Sequence, residues 1–116
     1  MKMQLLVLIL SKVDSLPQML SSFMGAGISG TTTIDCEGML KVIGASDIEP
    51  PPIFGVLRQF LNPERPKGKL LLTVLSDEQV STATKIIDDS LGGLEKPDTG
   101  ILFTIPLDNV IGLSER

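Results

Sequence analysis

Residues that usually carry chemistry are scarce in this chain. It has no histidine and one cysteine, Cys36. It therefore lacks the common proton-transfer group near neutral pH, the commonest transition-metal ligand and any internal disulfide. Carboxylates offer two groupings, Asp35 with Glu37 and the pair Asp88-Asp89, which in principle suit a hard cation. Adjacent helix positions point apart, so Asp88-Asp89 reads as a solvated helix face. Thr82 and Lys85, one helical turn apart, outline a hydroxyl-lysine pair, but no oxyanion-stabilising motif accompanies them and helix surface is the better reading. Gly25-Ala-Gly27-Ile-Ser-Gly30 spells the dinucleotide fingerprint. A pyrophosphate needs such glycines after a strand and at the start of a helix; here they follow a helical pattern and precede an extended one, so they read as a helix stop and turn. Lys41, Lys67 and Lys69 bracket a long central segment, and cations near the amides of Gly38 and Gly68 would suit a phosphate or carboxylate. Ordinary surface lysines are the alternative. No catalytic constellation emerges, and the inventory points to a binding or regulatory protein rather than an enzyme.

The 116 residues suffice for one domain, taken as 1–116, with one core. A net charge of -4, four Phe and no Trp or Tyr leave neither a broad positive field nor many stacking platforms, which argues against nucleic acid as a partner. One cysteine suits a reducing, cytoplasmic setting. The apolar run Met3 to Leu10 is too short to span a bilayer and no small-residue cleavage site follows it, so no membrane insertion is expected. The run reads as a buried strand.

The pattern along the chain supplies the remaining elements. Leu16, Met19, Leu20, Phe23 and Met24 form one helical face, with Asp14 or Ser15 as the cap, Pro17 in the first turn, and Gly25 and Gly27 as the stop. Thr32, Ile34 and Cys36 alternate with Thr31, Thr33, Asp35 and Glu37, the period of a strand buried on one side; Cys36 would then be buried and inert. Met39 to Ile43 extends that strand past Gly38. Leu70 to Ser76 echoes Leu5 to Ser11 and leads into a second helix. Ser76 and Gln79 form its capping box, Val80, Ala83, Ile87 and Leu91 its buried stripe, and Gly92-Gly93 its end. A last strand covers Ile101 to Ile105. Two βαβ units in one small domain predict an α+β fold, the ferredoxin-like split βαβ arrangement (βαββαβ), with a four-stranded antiparallel sheet and both helices on one face. So many strand residues are apolar on both sides that the second sheet face needs a cover, which predicts an oligomer. The connection from Gly44 to Gly68 holds five prolines, and its Ile53, Val56, Leu57, Phe60 and Leu61 predict a short helix from Pro52 to Asn62-Pro63. This helix reads as a lid on the core or a neighbouring subunit, or else as a partner-binding element.

These stretches resemble the P-II nitrogen-regulatory signalling family. Ala26-Gly-Ile-Ser-Gly-Thr-Thr-Thr-Ile-Asp-Cys-Glu-Gly38 is similar to the family's "GITGMTV...KG" strand entry, and Gly100-Ile-Leu-Phe-Thr-Ile-Pro-Leu-Asp-Asn-Val-Ile111 to its "GKIFVFPVERVI" ending. The likeness covers residues 1–43 and 67–113. It implies a non-enzymatic, cytoplasmic homotrimer in nitrogen regulation, with sheets facing inward, an adenine nucleotide in clefts between subunits, and a loop that docks on partner proteins. By the same resemblance the cleft residues would be Thr32, Gly38, Lys41, Asp98, Thr99 and Gly100, no metal site is implied, and the protein partner would be reached through residues 44–68.

Several positions depart from the family pattern. A chain without Tyr cannot carry the loop tyrosine that is uridylylated, and the proline-rich 44–68 segment stands in that loop's place. Ile101 replaces a phosphate-meeting lysine, and Gly112 and Ser114 replace two arginines. Charge-assisted contacts of about 1.5 to 3 kcal/mol each would be lost from a triphosphate, which argues against ordinary ATP and 2-oxoglutarate sensing. Two other readings follow from the same residues: a structural or partner-binding trimer without effector, and a cation-binding trimer like the related copper-tolerance proteins. The missing His and lone Cys argue against soft metals in the latter.

Overall fold

A computed structural model describes residues 2–36 and 68–113. Glu37, Gly38, Met39 to Ile43 (Lys41 among them), the 44–67 connection with its expected helix, Lys67 and Ser114 lie outside the described residues. The elements run β1 (Met3–Leu10), a 3-10 turn (Val13–Ser15), α1 (Leu16–Gly25), β2 (Thr31–Cys36), β3 (Gly68–Ser76), α2 (Asp77–Leu91) and β4 (Gly100–Leu107). The β1 run has the expected limits. Strand β3 starts two residues before Leu70, so Gly68 and Lys69 belong to the sheet and not to the connection. Strand β4 extends beyond Ile101 to Ile105 at both ends.

The four strands form one sheet in the order β2-β3-β1-β4, antiparallel at every pairing. Each helix joins two parallel strands that are separated by a strand from the other unit. This is the split βαβ arrangement, a four-stranded antiparallel sheet with two helices on one face.

Local chemistry explains the helix limits. On α2, Ser76 Oγ accepts from the Gln79 amide while the Gln79 side chain accepts from the Ser76 amide, a complete capping box. Gly92 ends the helix in the left-handed conformation at φ 72°. On α1 the N-cap residue, Ser15, makes no side-chain cap. Ser15 Oγ instead donates to the Lys12 carbonyl at 2.6 Å, because the preceding 3-10 turn brings that carbonyl within reach. The Gly25–Gly30 stretch is a helix stop, as its order of elements requires: the amides of Ala26 and Gly27 cap α1, Gly27 has φ +83°, and the chain runs directly into β2. Ile28, inside this turn, is 3% exposed and fills the core.

Register divides the sheet into two unlike faces. One carries Leu6, Leu8, Leu10, Leu71 and Leu75, all at most 2% exposed. These pack with Met19 and Phe23 of α1 and with Ala83, Ile87 and Leu91 of α2. The other carries Met3, Leu5, Val7 and Ile9 of β1, Leu70, Leu72 and Val74 of β3, Ile101, Phe103, Ile105 and Leu107 of β4, and Thr32, Ile34 and Cys36 of β2. No charged side chain lies on it among the described residues. The side of β2 expected to be buried faces this open side: Ile34 is 46% exposed and Cys36 only half-buried. Its apolar alternation is real, but both helices lie on the opposite face, so among the described residues no helix covers it.

Candidate functional site

Of the six residues expected to line a cleft, the described residues include Thr32, Asp98, Thr99 and Gly100; Gly38 and Lys41 fall outside them. These four do not meet within one chain. Thr32 projects from the open face of β2, in the row Thr32–Leu72–Val7–Phe103, whereas Gly100 lies in the row Asp35–Lys69–Leu10–Gly100. Strands β2 and β4 are the two edges of the sheet, three strand spacings or roughly 14 Å apart, and the two rows lie about 10 Å apart along the strands.

Asp98, Thr99 and Gly100 form one corner. Asp98 is exposed and is the described non-glycine residue with positive φ, at 62°. Thr99 is 5% exposed. Its hydroxyl bonds to the carbonyls of Leu94 at 3.1 Å and Lys96 at 2.8 Å, while its own carbonyl accepts from the amides of Ser11 and Lys12 at 3.0 and 3.3 Å. Thr99 therefore fastens the loop before β4 to the end of β1, and its hydroxyl is committed to that task. Gly100 permits close strand approach. A Cβ there would lie 2.7 Å from the Ile9 carbonyl oxygen and 3.4 Å from a Leu8 methyl, so a side chain at 100 would disturb packing whatever else it touched.

The charges expected to collect an anion are arranged differently. Lys69 lies directly across from Asp35 on β2 and is ion-paired and hydrogen-bonded to it. That partner was hidden in sequence, because the two residues are neighbours only through strand pairing. Asp88 also departs from the solvated-face reading: it is half-buried, and its Oδ1 accepts from the Leu94 amide at 2.7 Å. Asp89, Thr82 and Lys85 are exposed on α2. Among the described residues, no group of three or more Cys, Asp or Glu is placed to hold a metal ion, and no helix is long and apolar enough to cross a membrane.

Against this geometry, the comparisons with known proteins give one kind of match. No family model matches the chain, and no curated protein matches it in sequence. Among solved structures, the crystal structure of Arabidopsis thaliana PII bound to citrate is similar over 91% of this chain and 78% of that one, with a TM-score of 0.62 and 16% sequence identity. The chain thus has a PII-like, ferredoxin-like fold.

Proposed function

We propose that this chain is a P-II-like regulatory protein that works as a homotrimer, holds a small effector between subunits and reports its presence to a protein partner through residues 44–68. The observation that carries the reading is the open sheet face, apolar on all four strands and uncharged among the described residues, on a PII-like fold. A face of this kind is stable in water only when covered, and inward packing of three sheets covers it in every copy. The same packing supplies what one chain lacks. Thr32 on one edge meets Asp98–Gly100 on the opposite edge only if the two edges come from neighbouring copies.

An adenine nucleotide is the effector that the resemblance suggests, and the citrate bound to the Arabidopsis thaliana protein makes a carboxylate the second candidate. Calorimetry against ATP, ADP, AMP, cyclic dinucleotides and citrate, with and without magnesium and 2-oxoglutarate, tests the reading. Saturation near one ligand per chain supports it. Silence across the panel turns the assignment to the second reading, a trimer that binds a partner without an effector. The internal engagement of the Thr99 hydroxyl and the ion pair on Lys69 favour that reading. The expected setting is the cytoplasm and the expected process nitrogen regulation; loss of a nitrogen-dependent response in a deletion strain would support the latter.

A further inference from the structure

We propose that Asp88 is a positioning residue for the candidate cleft, setting through Leu94 and Thr99 the place of the corner Asp98–Gly100; this rests on the cleft reading above. The connection is continuous in hydrogen bonds. Past the end of α2, the Gly93 amide donates to the Asp88 carbonyl at 2.9 Å, and the next amide, Leu94, donates to the Asp88 carboxylate at 2.7 Å. The Leu94 carbonyl then accepts from the Thr99 hydroxyl at 3.1 Å, and the Thr99 carbonyl accepts from Ser11 and Lys12. Both polar groups of the Leu94 backbone are thereby fixed, one to the helix and one to Thr99, the residue just before β4. Leu94 packs its side chain on the core, so it cannot shift freely to follow a new partner.

Asp98 occupies a left-handed conformation that L residues adopt at a cost. Such a conformation persists only where its surroundings over-determine it, and Thr99, immediately after it, is held by four hydrogen bonds. Without the carboxylate of Asp88, the Leu94 amide loses its acceptor, and the loop gains freedom where the corner hangs from it. A charge-assisted bond of this kind holds an opening equilibrium by about tenfold or more.

The test compares Asp88→Ala and Asp88→Asn with the wild-type chain by amide hydrogen exchange, alongside calorimetry with ATP and AMP. The alanine variant is expected to exchange about tenfold faster at Leu94 and, through the Thr99 relay, at Ser11 and Lys12. The asparagine variant keeps an acceptor oxygen and is expected to restore slow exchange at all three. Faster exchange at Leu94 alone, with Ser11 and Lys12 unchanged, overturns the proposal, as does an asparagine variant that behaves like alanine. Where the wild-type chain binds a nucleotide, the alanine variant is expected to weaken it at least fivefold and asparagine to recover it; unchanged affinity also overturns the proposal. If the wild-type chain binds neither nucleotide, the nucleotide reading of the cleft fails and the exchange pattern still decides the role of Asp88.

Discussion

The two faces of the sheet are built from nearly the same residue types and meet opposite fates. On the covered face Leu6, Leu8 and Leu10 are completely buried under the helices, while on the open face Ile101 is 63% exposed, Ile105 44% and Phe103 42%. Leu8 and Ile9 are sequence neighbours that differ only in which way the pleat turns them, yet one is 0% and the other 39% exposed. The contrast separates two kinds of specification. The covered face is satisfied by the chain's own helices, whereas the open face is at least as apolar, carries no charged side chain among the described residues, and has neither helix packed on it. Apolar burial contributes roughly 25 cal/mol per Å² removed from water, so covering the open face, as the proposed association would, carries a large driving force.

The sharpest way to break this comparison is to charge the open face. Replacing Phe103 and Ile105 together by Asp places two carboxylates per copy in the proposed trimer centre, where unpaired charges are strongly penalised. Sedimentation equilibrium is expected to show the three-copy mass falling to that of the 12.4 kDa chain, with helical circular dichroism retained because the covered core is untouched. A wild-type chain that already sediments as a single copy would sink the trimer reading. The counterpart on the covered face is Leu8→Ala. It removes a fully buried side chain and should cost about 2 to 5 kcal/mol of stability by denaturant unfolding, leaving the open face and its assembly partner chemistry as they were.

A finer probe sits where β4 meets β1. Gly100 has no room on the covered side, its virtual Cβ lying 2.7 Å from a backbone oxygen, whereas Ile101 beside it projects into open space. Gly100→Ala is expected to destabilise by about 1 to 3 kcal/mol through overpacking, and Ile101→Ala to leave the stability of an isolated copy within about 0.5 kcal/mol. Paired thermal melts in dilute conditions check both; equal effects would mean that the two sides of this strand are not differently packed.

What the sequence discloses follows from how local each interaction is. The strand Met3–Leu10 and the α2 limits at Ser76, Gln79 and Gly92 depend on neighbours within four residues, and they stand where the pattern places them. The split βαβ order follows from two repeats of strand and helix with the usual crossover hand. The alternation at Thr32, Ile34 and Cys36 is also local, but which side is covered is decided by helices elsewhere in the chain. Asp88 reads as surface from its helix position alone, and its bond to Leu94 exists only because Gly92 and Gly93 turn the chain back over it. Thr99 enters as a cleft residue through the resemblance alone, while its bonds to Leu94 and Lys96 and the approach of Ser11 depend on the finished corner. Thr32 and Gly100 belong to opposite edges because β1 and β3 occupy the centre, a result of non-local pairing.

The smallest effect concerns the charges on the covered side of the sheet. Asp35 and Lys69 face one another at the end of β2 and β3, their side chains 70% and 35% exposed. Water at that exposure screens the attraction, and holding a long lysine side chain in place costs entropy, so such pairs contribute about 0 to 1 kcal/mol. Lys69→Met keeps most of the aliphatic stem and removes the ammonium. It is expected to lower stability by less than about 1 kcal/mol in low salt, with the difference shrinking toward zero near 1 M salt as the screening length falls to about 3 Å. A larger loss that persists in high salt would show that the lysine stem, rather than its charge, packs this end of the sheet. The covered face would then be apolar in function along its whole length, and its contrast with the open face would rest on the helices alone.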